Sequence, residues 1–256
     1  MKEIRQISKI ILFLLILGRP ALAMDAFEYQ VYDGEINKVS EYSLETHLNS
    51  NLRGKLVADY PGQLNENHLT HLTFEFARGM TSYWELGGYL QSALAEDGTG
   101  HYAGAKIRSK FVRPTSENDP LQIGINFEIS NVPLEFEQDR WGSEIRPIIG
   151  YTIARWTFLF NPIIDIDITP GKDATPDFAP ALKTVFDTRM GFGLGLEYYS
   201  ELGDIDKATG FDRADQYLFA AYDLLHANFE LNLGLGFGLT DLSNPLVAKG
   251  ILGFTF

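Results

Sequence analysis

Apolar and polar residues alternate along most of this chain, from residue 41 to the last residue. The clearest stretch is NFELNLGLGFGL, residues 228–239. Every second residue from Phe229 to Leu239 is Phe or Leu, and the residues between them are Asn, Glu or Gly. Successive side chains of a strand point to opposite faces, so this stretch predicts a strand with one apolar face and one polar or small face.

The same alternation predicts twelve strands, most of them 10 to 13 residues long. A strand of a soluble protein averages about five or six residues, whereas a tilted strand that crosses a bilayer needs about 9 to 11. The predicted strands therefore have membrane-spanning length. They cover residues 42–52, 67–78, 83–94, 102–113, 121–131, 141–152, 156–168, 177–187, 191–202, 214–225, 227–239 and 245–256.

The connections between these strands alternate between short and long. Four are tight: 78–82, 153–156, 187–190 and 225–228. Four in the opposite phase are long and acidic or rich in Gly and Pro: 52–67, 131–140, 169–177 and 203–214. Short periplasmic turns and longer external loops are typical of outer-membrane barrels. The pattern predicts an all-β fold, a single antiparallel up-and-down transmembrane β-barrel of about 12 strands over residues 41–256.

Two segments precede the barrel region. Residues 10–17 form an apolar run that follows Lys2, Arg5 and Lys9 and is followed by Ala-Leu-Ala at 21–23. This arrangement predicts a cleaved signal peptide over residues 1–23 and export from the cytoplasm. Residues 24–40 lack the regular alternation, and we expect an extra strand, a periplasmic extension or a segment that plugs the lumen.

The last predicted strand places apolar side chains on its outward face, with Leu252, Phe254 and Phe256 in one phase. This ending resembles the signal that the barrel assembly machinery reads, although Gly250 lies one position off the commonest spacing. The chain thus resembles the bacterial outer-membrane β-barrels. Its size and strand count are similar to the small twelve-stranded channels and to the barrels grouped with MetA-pathway phenol-degradation operons. The resemblance implies outer-membrane lipid, the assembly machinery and small solutes as partners.

If the apolar face meets lipid, the charged residues of the other face line the lumen. Lys106, Arg108 and Lys110 then form a basic ladder on one strand. This ladder could face acidic strands across an open pore and select solutes, or it could form ion pairs that fill and rigidify the lumen. The other predicted lumen-lining residues are Glu128, Glu144, Arg146, Asp165, Asp167, Lys183, Glu197 and Glu230.

Composition narrows the possible functions. The chain contains no cysteine, which excludes disulfides and thiolate chemistry. Without residues 1–23 the formal charge is near −16, which argues against a nucleic-acid partner. A soluble sandwich or lipocalin-like barrel is disfavoured because one face carries many ionisable groups. Aromatic residues near strand ends also predict interfacial girdles: Trp84, Trp141, Trp156, Tyr83, Tyr102, Tyr151 and Tyr217.

An enzymatic function finds little support in the sequence. His47 and Ser50 are close in the chain, but alternation points them to opposite faces. The pair His68 and His71 also splits between faces, so we expect no metal site, no cofactor and no catalytic residues. The prediction is a non-enzymatic, narrow passive channel. The alternatives are an outer-membrane barrel enzyme that acts on lipid and a closed structural barrel.

Three prolines interrupt this otherwise regular pattern. Pro147, Pro162 and Pro180 lie in the middle of three consecutive predicted strands, all in the outward phase. Proline cannot donate a ladder hydrogen bond, so we expect local bulges or a weakened seam at this place.

Overall fold

The structure is a computed structural model that describes residues 25–116, 119–172, 174–207, 211–226 and 229–256. The predicted signal peptide and part of the 225–228 turn lie outside these residues. Twelve strands form one closed antiparallel barrel. They are β1 (Tyr42–Arg53), β2 (Thr70–Gly79), β3 (Trp84–Leu94), β4 (Gly100–Val112), β5 (Leu121–Asn131), β6 (Trp141–Ile153), β7 (Trp156–Asp167), β8 (Pro176–Asp187), β9 (Phe192–Glu201), β10 (Asp215–His226), β11 (Phe229–Gly238) and β12 (Leu246–Thr255).

Each strand pairs with the next one in the chain, and β12 closes the barrel against β1 with Ser43 opposite Thr255. The predicted twelve-strand up-and-down barrel is therefore confirmed. The predicted strand ends lie within three residues of the observed ends. Among the described residues, no helix is long and apolar enough to cross a membrane. The start of β1 and the end of β12 lie at the short-turn end of the barrel, and the long connections lie at the opposite, long-loop end.

The alternation of the sequence becomes an apolar exterior and a polar interior. Leu233, Leu235 and Phe237 are exposed on the outside of β11, and Phe254 is exposed on β12. The inner faces carry buried charged and amide side chains. This is the reverse of a soluble protein and matches a barrel whose outer face meets lipid.

The aromatic residues predicted near strand ends divide into two groups. Trp141, Trp156, Tyr83, Tyr102 and Tyr151 are exposed on the outer surface, and Trp84 is half-exposed. The prediction for Tyr217 is wrong, because this side chain points inward and is only 1% exposed. Tyr217 shares the inward phase of β10 with Asp215 and Phe219, so on this strand aromatic rings occupy the lumen face.

The three prolines lie in one row across β6, β7 and β8. The β6–β7 ladder is interrupted between the pairs Ile145–Ile164 and Ile149–Phe160, and this is where Pro147 faces Pro162. Pro162 in turn lies opposite Pro180 on β8. None of the three can donate a ladder hydrogen bond, and the β6–β7 pairing is interrupted at this row while the β7–β8 pairing continues through it.

Candidate functional site

Residues 25–38, hereafter the lumen segment, run through the inside of the barrel along its length. The amide of Asn49 donates to the carbonyl of Ala26 towards the long-loop end (3.0 Å). The backbone N–H of Asn37 donates to Glu85 at the short-turn end (2.7 Å). The chain then turns at Ser40, which has a positive φ of 68°, and enters β1. Within the described part of residues 24–40, residues 25–38 lie in the lumen, and Val39 and Ser40 are exposed.

Side chains of the wall satisfy the backbone of the lumen segment. Asn161 on β7 accepts a hydrogen bond from the N–H of Tyr32 (2.7 Å) and donates one to its carbonyl (3.0 Å). Lys249 on β12 donates to the carbonyl of Tyr29 (2.8 Å). Gln122 on β5 accepts from the N–H of Gly34 (2.9 Å). Buried backbone groups must be paired, so the polar wall binds the segment much as a groove binds an extended peptide.

Aromatic rings also fix the lumen segment. The ring of Tyr29 lies 5.5 Å from that of Tyr217 and 5.1 Å from that of Phe219. Phe219 fits because Gly236 lies beside it on β11, where a Cβ atom would come within 2.4 Å of the ring. The small residues in the inward phase of β11 therefore make room for aromatic rings in the lumen. Towards the long-loop end, Phe27 makes an edge contact with Phe136 (5.4 Å between centroids).

The three residues of the basic ladder are buried on the inner face of β4, and each lies beside carboxylates. Lys106 pairs with Asp25 of the lumen segment and lies 3.6 Å from Glu128. Arg108 donates to Glu75 (2.5 Å) and Glu85 (2.8 Å). Lys110 is 3.9 Å from Asp33 of the lumen segment. The ladder is thus neutralised by partners from both the wall and the segment.

The other lumen-lining candidates form similar pairs or line cavities. Arg146 binds both carboxylate oxygens of Glu144 (2.6 and 2.9 Å), and Lys183 lies 3.1 Å from Glu197. Asp165 and Asp167 face a cavity towards the long-loop end. Glu230 is exposed and lines the opening at the short-turn end.

Several charged residues of the lumen were not predicted from the sequence, among them Lys249, Asp25 and Glu28. Lys249 contacts Glu197, and its side chain is 1% exposed. It is the only charged residue in the last strand, in the inward phase, and this signal could have identified it. Asp25 and Glu28 belong to a segment without periodicity, so no pattern assigned them to the lumen.

Cavities remain around the lumen segment, and Gln30 lines three of those formed by the described residues. One of about 100 Å³ lies towards the long-loop end, and one of about 450 Å³ opens at the short-turn end. The third, of about 240 Å³, lies beside Lys183 and Glu197. Acidic residues outnumber basic ones around the first two cavities. The lumen segment therefore runs along the length of the lumen but leaves cavities beside it.

Glu137, in the connection between β5 and β6, lines the cavity towards the long-loop end. Burial, together with the nearby charge of Asp25, raises the pKa of its carboxyl to about 7. This part of the lumen entrance therefore changes its charge near neutral pH.

The described residues place His47 and Ser50 on opposite faces of β1. His47 is buried in the lumen, whereas the hydroxyl of Ser50 hydrogen-bonds that of Thr70 in the outward phase (2.9 Å). The two side chains cannot form a nucleophile–base pair, which requires direct hydrogen-bond contact.

Comparison with known proteins reveals likeness at the level of the fold. No family model matches the chain, and no curated protein matches it in sequence. Among solved structures, the COG4313 outer membrane channel from Pseudomonas putida F1 superposes with a TM-score of 0.61, at 12% identity over 90% of this chain and 100% of that chain. The KdgM porin superposes with a TM-score of 0.54, at 8% identity over 84% of this chain and 99% of that one. A second KdgM porin structure, in complex with disordered oligogalacturonate, gives 0.51 at 8% identity over the same shares.

This chain has the fold of the outer-membrane β-barrels. Sequence identities this low support a shared fold and no more specific relationship. The barrel of this chain has twelve strands, a charged lumen and a segment of its own chain inside.

Proposed function

We propose that this protein is a narrow passive channel or transporter for small solutes in the bacterial outer membrane. The observation that carries the proposal is the pair of acidic cavities, one towards each end of the barrel, on either side of the lumen segment. A closed structural barrel has no need of such space or of so many wall charges. The outer-membrane channel and the porin that share the fold are consistent with this function.

The lumen segment sets the bore of the proposed channel. Phe27, Tyr29, Val31 and Tyr32 are all buried. Burying one large apolar side chain contributes about 1.5–3 kcal/mol, so these four together contribute roughly 6–12 kcal/mol to docking. The segment therefore stays in place at rest, and solutes pass beside it through the cavities.

The wall charges favour cations and neutral polar solutes. The three residues of the basic ladder are paired with carboxylates, so they do not form a row of unpaired positive charges. Acidic residues remain in excess at both cavities. Lumen charges of one sign concentrate counter-ions at the entrance, and the effect weakens as salt screens it. A salt gradient across a planar bilayer that contains the full chain should give a reversal potential of the cation-selective sign.

Single cysteines locate the conducting path, since the chain has no cysteine of its own. Asp33 lines two of the cavities, so a charged thiol reagent should reduce conductance through Asp33→Cys. Leu233→Cys is the matched control, because Leu233 is exposed on the outer face and its labelling should leave conductance unchanged. A full chain that folds into the bilayer and shows no conductance would refute the channel.

The remaining assignments belong to the same proposal. We propose that residues 1–23 are removed on export and that the barrel assembly machinery reads Leu252, Phe254 and Phe256. No catalytic group enters the proposed function. Turnover of phospholipid or lipid A by the purified barrel would favour the enzymatic alternative.

A further inference from the structure

Three metal-binding side chains converge on the inner face of β1 and β2. Glu45 lies directly opposite Glu75 in the strand pairing, and His47 is two residues further along β1 on the same face. Nε2 of His47 is 3.6 Å from Oε2 of Glu45 and 3.5 Å from Oε2 of Glu75. The three donor atoms all lie within 4.8 Å of one another. Two opposed carboxylates repel each other, so a cation bound between them would relieve this repulsion.

His47 is the second observation that points to a ligand. Its side chain is 0% exposed, and neither ring nitrogen has a hydrogen-bond partner among the described residues. Hydrogen bonds from nitrogen have a common length of about 2.9–3.0 Å, so both carboxylates are too distant for a good one. Tetrahedral sites with bonds of about 2.0–2.2 Å place their donor atoms about 3.3–3.6 Å apart. Both histidine–carboxylate distances fit that spacing.

The charged groups around this cluster leave one carboxylate oxygen available to a cation. Arg108 binds Glu75 through Oε1 and also binds Glu85, which leaves Oε2 of Glu75 directed at His47. Glu45, Glu75 and Glu85 thus place three carboxyl groups around the single guanidinium of Arg108. Glu45 and Glu75 also line the cavity that opens at the short-turn end, which provides a route for the ion.

We propose that Glu45, His47 and Glu75 bind one divalent transition-metal cation such as Zn²⁺ in the lumen. A nitrogen and two carboxylate oxygens are ligands that Zn²⁺ accepts. Gln30 of the lumen segment donates to Oε2 of Glu45 (3.2 Å), so the bound cation lies next to the segment. The site links β1 to β2 and lies next to the lumen segment. Metal binding is therefore coupled to the presence of the segment in the lumen.

The test is metal uptake by the full chain, refolded into lipid after chelator treatment and dialysed against Zn²⁺ alone. Wild-type protein should bind one Zn²⁺ per chain, and both His47→Gln and Glu75→Gln should lose this stoichiometric site. His71→Gln is the matched control, because His71 is also a buried lumen histidine but lies outside the cluster, beside Phe27. Equal uptake by wild type and His47→Gln would assign the binding to acidic loops and overturn the proposal.

The wild-type chain provides a second measurement if the variants fail to assemble. Co²⁺ bound to His47 and the two carboxylates in a four-coordinate site should give intense visible absorption. Co²⁺ held by hydrated surface carboxylates gives only weak bands. Absence of stoichiometric uptake, or a weak spectrum alone, would mean that His47 is an imidazolium paired with Glu45 and Glu75, and the metal site would be refuted.

Discussion

Asn161 offers the sharpest test of how the lumen segment is held. Its side chain is 0% exposed and binds both the N–H and the carbonyl of Tyr32. In Asn161→Ala both backbone groups lose their partner inside the barrel. Each unpaired buried group costs about 1–3 kcal/mol, so docking of the segment should weaken by about 2–6 kcal/mol.

This loss of docking free energy should appear as faster hydrogen exchange of one backbone amide, that of Tyr32. A factor of ten in an equilibrium corresponds to about 1.4 kcal/mol, so even the lower bound predicts roughly 25-fold faster exchange at Tyr32. The measurement is hydrogen exchange of the lumen segment in lipid, with amides of the β10–β11 ladder as internal standards. Single-channel conductance of the same variant should rise, because a loosened segment obstructs the lumen less.

Asn126→Ala is the matched control for this experiment. Asn126 is equally buried, but its amide donates to Glu128 of the wall and makes no hydrogen bond to the segment backbone. Exchange at Tyr32 should therefore change much less in this variant. If Tyr32 exchanges at the same rate in both variants, the wall amides do not hold the segment and the reasoning fails.

Four further predictions address the wall, the ladder and the loops. Phe256→Asp should lower the yield of assembled barrel, whereas Asp97→Asn in an exposed loop should not; equal yields would contradict the assembly signal. Leu233→Arg should cost about 2–4 kcal/mol of unfolding free energy in lipid, and Asn232→Arg much less, because only the first places a charge in the bilayer. Replacing the three ladder residues with Gln should lower the melting temperature sharply, since their carboxylate partners would be buried without cations; unchanged melting would contradict the pairing. The raised pKa of Glu137, about 7, gives the loop stability that is complete below about pH 4.5 and is lost as pH rises through 7. The protection of loop 132–140 against hydrogen exchange, corrected for the intrinsic pH dependence of exchange, should therefore fall over that range, and Glu137→Gln should remove this fall.

The wall of the barrel could be predicted from sequence because its signal is local. Period-two alternation identifies a strand and also assigns each residue to a face, so Leu233 and Asn232 point outward and inward as the pattern requires. The exception, Tyr217, shows the limit of the rule. An aromatic residue near a strand end faces lipid only if it lies in the outward phase of its strand. On β10 the alternation places Tyr217 in the inward phase.

The partners of each lumen charge could not be predicted, because they depend on register and on a segment without periodicity. Lys106 meets Asp25, which is 81 residues away in the chain. Glu45 and His47 are two residues apart, but Glu75 joins them only when Glu45 is opposite Glu75 in the β1–β2 register. A shift of one residue would turn these side chains to the other face. Sequence alone therefore gave the chemistry of the lumen and left its geometry open.

Docking of the lumen segment and closure of the barrel are coupled by one residue. The segment precedes β1 in the chain, and the lumen becomes enclosed only when β12 pairs with β1. Lys249 lies on that closing strand and binds both the carbonyl of Tyr29 and the carboxylate of Glu197. A barrel that closed without the segment would keep the ion pair between Lys249 and Glu197 but lose the hydrogen bond to the carbonyl of Tyr29, and a hydrogen bond from a charged group contributes about 1.5–3 kcal/mol. The strand that seals the wall therefore closes most favourably around a segment that is already inside.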